Sequence, residues 1–328
     1  MKAASLLVAA LSVSVFCGCS SGGGAVVSGT GGTIVSGTGG ASPGADAGVA
    51  VDETLCGALT LTASRTIAAG RTTAICAGST LTASAGVTLT VQGRLLVQGT
   101  AQSPVKMMGS AGGPTDWAGL VIDGGGDLSA TYLEIHDAAT ALAARPGSAF
   151  AIDHVVIDNS SMLLILSSNG TIAHGILHGL GDNQPGTPVF ISSASPRISD
   201  TVMTQALYNG VDYVVVGGGT SAPVFDHVEV ADSHCAFHFN EGSGAVISNS
   251  NVHHNAYGLM VIGSVNGQVD HNNFQDNSVD IGSCAGGSAV VSNNYFAGDP
   301  FGDGSCPDLV VTGVLPPGPY TTGVGPRP

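Results

Sequence analysis

Charge is scarce in this chain: only 9% of its 328 residues are Asp, Glu, Lys or Arg, and 8 basic residues stand against 23 acidic ones. The resulting net charge of −15 excludes a nucleic-acid partner, because too few cations are present to neutralise phosphates. It also repels polyanionic polysaccharides unless a bound cation intervenes. Aromatic residues make up 5%, with one Trp. No segment has helical periodicity, and the one apolar run, near the N-terminus, is too short to span a bilayer. Solubility rests on Ser, Thr, Asn and the 50 glycines.

What the chain does have is repetition. Taking a polar residue as anchor, Tyr132, His154, His174, Asp200, His227, Asn249, His271 and Asn293 fall at steps of 22, 20, 26, 27, 22, 22 and 22. Two places before each anchor stand Ala130, Ile152, Ile172, Ile198, Phe225, Ile247, Val269 and Val291. Three places after stand Ile135, Ile157, Leu177, Met203, Val230, Val252, Phe274 and Phe296. A fixed period in the 20s means stacked units that bury their apolar faces only against one another. The segments are β-branched, Asn-rich and Gly-punctuated, which selects a parallel β-helix over a leucine-rich repeat. The two apolar columns are an odd number of residues apart, so the chain must bend between them for both to face inward. Asn, Asp and Gly tolerate the left-handed conformation of such a bend. An inward-pointing anchor would stack its Asn and His side chains as a polar ladder.

Residues 86–109 and 116–122, "GVTLTVQGRLLVQGTAQSPVKMMG" and "DWAGLVI", carry the same pattern in degenerate form. Here the chain resembles a broad group of secreted bacterial right-handed parallel β-helix proteins of the pectin-lyase-like kind. The resemblance covers residues 54–312 and implies an all-β, right-handed solenoid with coils of about 22 residues. It implies no single activity, since one fold hosts many functions.

Residues 1–18 read as a secretory signal, and "FCGC" resembles a bacterial lipobox with Cys19 as the lipidated residue. Phe16 departs from the usual aliphatic residue, so ordinary cleavage and secretion is the alternative. Residues 19–53 form a Gly/Ser/Thr-rich tether, and 313–328 a Pro/Gly-rich tail. Ser20 lacks the retention character of an inner-membrane lipoprotein. The expected location is the outer membrane or cell surface of a Gram-negative bacterium, or the medium. Contact with the membrane runs through the lipid alone, and the protein is expected to be a monomer.

Export favours disulfides. Cys284 and Cys306 are 22 residues apart and share a column on adjacent coils; Cys56 and Cys76, 20 apart, fit the same logic. Strands spaced about 4.8 Å apart lie inside the roughly 4.4–6.8 Å Cα range of a disulfide. Cys235 is left as a small buried core residue.

No catalytic residue is assigned. The paired-aspartate and Gly-His-Gly signatures of polygalacturonases are absent, and "LHGLGDN" at 177–183 lacks the leading Gly. A lyase needs an Arg or Lys base, but only Arg145 and Arg197 occur between 128 and 312. The outward carboxylates Asp153, Asp226, Asp270, Glu134 and Glu229 read as solvated strand residues. His253 and His254, adjacent on a strand, are poor co-ligands unless a corner turns them. No metal site and no cofactor are expected, although the acidic outer columns leave calcium open.

The expected function is therefore a binding or structural module for a polysaccharide or cell-surface component. The alternative is a polysaccharide-active enzyme, a lyase, hydrolase or epimerase. The two long steps place inserted loops at 181–188 and 217–223, which should form one wall. Asp182, Asn183, Tyr208, Asp212 and Tyr213 are the candidate ligand-binding residues: tyrosine beside a carboxylate suits a neutral sugar.

Overall fold

The computed structural model describes residues 50–181, 187–206, 211–301, 310–312 and 314. The leader, Cys19, the tether up to residue 49, Asp182, Asn183, Tyr208, Cys306 and the side chain of Cys284 lie outside the described residues. Among the described residues twenty-six strands run from Glu53 to Thr312, and each is paired in parallel with the strand one coil away, from the first pair, Glu53–Leu55 with Thr72–Cys76, to the last. The chain is a parallel β-helix.

Its inner columns are the two apolar ones of the repeat. Ile152 lies opposite Ile172, then Ile198, Phe225 and Ile247 in successive coils. Ile157 lies opposite Leu177, then Met203, Val230 and Val252. All are buried, and each fully buried side chain of this size contributes about 1.5–3 kcal/mol. A third inner column, formed by Leu163, Val189, Val214, Phe237, Leu259 and Ile281, comes from a further face of each coil. The first column continues toward the N-terminus as Val97, Ile75 and Leu55.

The bend between the first two columns is the anchor itself. All eight anchors have positive φ, from 47° at Tyr132 to 59° at His154. A second left-handed corner follows five residues later, at Asp137, Asn159, Gly179, Gln205, Asp232, His254 and Asp276. Asn and Asp are the side chains that accept this conformation best, which is why the repeated sentence is rich in them.

The polar ladder is displaced from its expected place. The anchors are corner residues whose side chains remain partly exposed, whereas the internal ladder stands one residue later. The Val228 amide donates to Ser250 Oγ (3.1 Å), the Ser250 amide to Asn272 Oδ1 (2.9 Å) and the Asn272 amide to Asn294 Oδ1 (2.8 Å). A second ladder, Ser233 to Asn255 to Asn277, stands just past the second corner, with amide-to-oxygen distances of 3.1 and 3.0 Å. A left-handed residue turns its own side chain out and leaves the next residue's amide pointing along the axis, where a buried side-chain oxygen must receive it.

Cys56 and Cys76 form a disulfide, with a Cα–Cα distance of 5.0 Å, joining neighbouring coils at the described N-terminal end. Cys235 is a buried core residue, as expected.

The second inserted loop also differs from its expected place. From anchor to third-column residue the count is nine in the coil of His154, fifteen in that of His174, fourteen in that of Asp200 and ten in that of His227. Against the His227 coil, four of the five surplus residues of the Asp200 coil therefore precede Val214 and one follows it, so most of the insertion lies ahead of Val214 and not at 217–223. A further insertion at 110–116 precedes the strand Trp117–Ile122. Each precedes a strand of the third face, Trp117–Ile122, Val189–Ser192 or Val214–Val216. Asn159 Nδ2 donates to Gly112 O (3.2 Å) and Ser161 Oγ to Pro114 O (3.3 Å), so the first loop folds over later coils.

Candidate functional site

The stretch 211–213 returns the longest coil to the helix, and its three residues have separate fates. Tyr213 is fully buried, and its hydroxyl donates to Leu177 O at 2.7 Å. Burial pushes its phenol far above the ordinary value. Tyr213 is thus a core residue and not a ligand-binding one: it stands next to Val214 of the third inner column, where the chain has turned inward.

Asp212 faces the other way and is held from both sides. The Tyr213 amide donates to Cys235 O (2.7 Å) and the His234 amide to Val211 O (3.0 Å), which locks the two coils together around it. Its carboxylate meets His238 Nδ1 at 2.6 Å and His234 Nδ1 at 2.9 Å. Cys235 Sγ lies 3.4 Å from His234 Nδ1. Burial by itself would raise the Asp212 carboxyl, but the bonds from His238, His234 and Cys235 outweigh it and hold the group well below the usual carboxylate range. The Tyr257 ring packs edge-on against His234, with centroids 5.4 Å apart.

Beside this cluster the outward face of the third sheet is mostly apolar. Leu164, Phe190, Val215, His238 and Met260 lie opposite one another on five successive coils, and all are half-buried. Outward residues on a solenoid are normally polar, so a five-coil apolar column with one histidine is a departure from the repeat. Phe190 and Val215 of this column lie on the strands Val189–Ser192 and Val214–Val216.

Several polar outward groups elsewhere are engaged with one another. Asp226 accepts from Arg197 Nη2 (2.6 Å), Ser248 Oγ (3.0 Å) and Asn249 Nδ2 (2.9 Å), and Asp270 accepts from Ser292 Oγ and Asn293 Nδ2 (both 2.9 Å). The two sit two coils apart and act as braces between coils. The anchors Tyr132, His154 and His174 stack as rings, with centroids 4.2 and 4.6 Å apart, and Asp153 lies 2.6 Å from His174. The corner at His254 does turn the adjacent histidines together: their Nδ1 atoms are 2.6 Å apart, with Glu229 3.1 Å from His253 Nε2. On the second face, Lys106, Glu134, His136 and Asp158 form one network, with Lys106 Nζ 2.8 Å from Glu134 and His136 bridging Glu134 and Asp158.

Of the two expected ligand-binding residues that are described, Asp212 lies at this site and Tyr213 in the core. His234, Cys235 and His238 were not anticipated. The signal that could have found them is "HCAFH" at 234–238, one coil after the insertion that carries Asp212.

Residues 213–303 match the family model described as right handed beta helix region. No curated protein matches the sequence. Among solved structures, the A-module of mannuronan C-5 epimerase AlgE6 from Azotobacter vinelandii is similar at 11% identity, covering 82% of this chain and 92% of that one, with a TM-score of 0.47. The catalytic domain of a GH87 alpha-1,3-glucanase in complex with nigerose is similar at 10% identity, covering 80% and 63%, TM-score 0.33. Pectate lyase Pel9A is similar at 12% identity, covering 76% and 75%, TM-score 0.30.

Proposed function

We propose that this right-handed β-helix is a carbohydrate-binding module, tethered at the cell surface through a lipid on Cys19, whose ligand lies along the outward column of the third sheet. The observation that carries this reading is the register of Leu164, Phe190, Val215, His238 and Met260. A sugar ring presents a flat C–H face to apolar side chains and its hydroxyls to a few placed polar groups. With Asp212 bonded to Nδ1 of His238, the Nε2 edge of that ring is turned away from the carboxylate, available to a hydroxyl. The net charge of −15 favours a neutral polymer over a uronate. Neither a cofactor nor catalysis is needed for this role.

Immobilised neutral and acidic glycans test it. The chain should be retained by a neutral glycan, and Phe190→Ala with Met260→Ala should release it while circular dichroism stays unchanged. Retention unaffected by both substitutions would place the ligand elsewhere.

One observation favours a catalytic role instead: Glu134, His136, Asp158 and Lys106 supply acids and a base on one outward patch. General acid–base chemistry needs that convergence. Loss of product formation from a uronate polymer in Glu134→Gln would establish it.

A further inference from the structure

The geometry points to a metal site on adjacent coils: Asp212, Cys235 and His238 form a three-donor binding site for a zinc-class divalent ion, with His234 packed beside it. The site shares His238 with the carbohydrate reading but takes its Nδ1 edge, and the cobalt readout below does not depend on glycan binding.

The donor atoms of Asp212, Cys235 and His238 lie within 4.8 Å of one another. Around a tetrahedral zinc, with bonds of about 2.0–2.3 Å, neighbouring donors stand about 3.3–3.8 Å apart. His238 Nδ1 lies 2.6 Å from Asp212 Oδ2, a hydrogen bond that an ion would replace by opening it by under about 1 Å. His234 Nδ1 stands beside the donors, 2.9 Å from Asp212 Oδ1 and 3.4 Å from Cys235 Sγ.

The donor set of nitrogen, sulfur and one carboxylate suits zinc and not calcium, which takes oxygen ligands. Charge balances as well: a carboxylate and a thiolate offset a divalent ion, and binding releases the thiol proton to solvent. The protein supplies rigidity through the two ladder bonds on either side of Asp212 and the Tyr257 ring against His234. The other cluster of this kind, Asp153 with His154 and His174, has no sulfur and its imidazoles are stacked face to face, so their ring planes are already committed.

The test is cobalt(II) titration of the full chain purified without chelator, read by absorption. One equivalent should give a thiolate-to-cobalt charge-transfer band and the intense visible bands of tetrahedral cobalt, and zinc should displace it with loss of colour. Cys235→Ser should abolish the charge-transfer band. Asp212→Asn and His238→Gln should each weaken affinity by at least the about 10–100-fold that loss of an outer-shell partner costs, whereas His271→Gln, outside the cluster, should bind as the parent does. Absence of the band in the parent, or its persistence in Cys235→Ser, overturns the site. Should Cys235→Ser fail to fold, unchanged affinity in both Asp212→Asn and His238→Gln overturns it equally.

Discussion

His238 Nδ1 lies 2.6 Å from Asp212 Oδ2, joining residues 26 positions apart across adjacent coils. The carboxylate is mostly shielded and accepts from two histidines, so removing it strands both. Asp212→Ala should cost about 1–3 kcal/mol at neutral pH. Because the folded-state carboxyl is depressed, this stabilisation is present above the ordinary carboxylate pKa and is lost as pH falls below it. Urea unfolding of parent and variant should therefore differ at pH 7 and converge toward pH 2.

Asp280 has the opposite sign. Burial, as the largest cause, pushes its carboxyl up to about 6, with Asp276 adding to it against the bond from Asn277. A raised folded-state pKa gives stability that is complete below the unfolded value and lost as pH rises, here between about 4 and about 6. Asp280→Asn keeps the acceptor for Asn277 and removes the buried charge. It should melt like the parent at pH 4 and higher than the parent at pH 8; equal melting at pH 8 would show the carboxylate is solvated.

The internal ladder separates two neighbouring residues. Asn272 receives the Ser250 amide and donates to Ile247 O (2.9 Å) from inside the helix, so Asn272→Ala should cost about 3 kcal/mol in urea unfolding. His271, one position earlier, is exposed at a left-handed corner (φ 55°). His271→Gly should change stability by less than about 1 kcal/mol, because glycine accepts that conformation without strain.

Tyr213→Phe should lower stability by about 1 kcal/mol through loss of the bond to Leu177 O. Glycan retention should be unchanged. Weakened retention at full stability would return Tyr213 to the ligand surface.

The Cys56–Cys76 bond closes a loop of 20 residues, and its reduction should cost about 3 kcal/mol. A fall in thermal midpoint under reductant, absent in a Cys56→Ser/Cys76→Ser double variant, checks it. Non-reducing peptide mapping of the same sample also tests the pairing proposed for Cys284 with Cys306.

The fold was legible because one period imposed two apolar columns, and Ile172 or Val252 has no place but the interior. The anchors were legible as bends but not in direction. A positive φ at Asn249 or His271 turns the anchor's side chain outward and passes the ladder to Ser250 and Asn272, and sequence spacing does not encode that rotation. The insertion was misplaced because Gly217–Gly219 looks like the looser segment, while most of the surplus lies ahead of the strand Val214–Val216. The cluster of Asp212 with His234, Cys235 and His238 depends on that placement, since only the true register sets Asp212 beside the next coil's "HCAFH".

Calorimetric titration with a neutral oligosaccharide, followed by product analysis of the same sample, separates binding from turnover most directly. A carbohydrate-binding β-helix gives saturable heat, abolished by Phe190→Ala with Met260→Ala, and returns the oligosaccharide intact. New reducing ends or unsaturated sugars after the titration, or no heat with any neutral glycan, would contradict it.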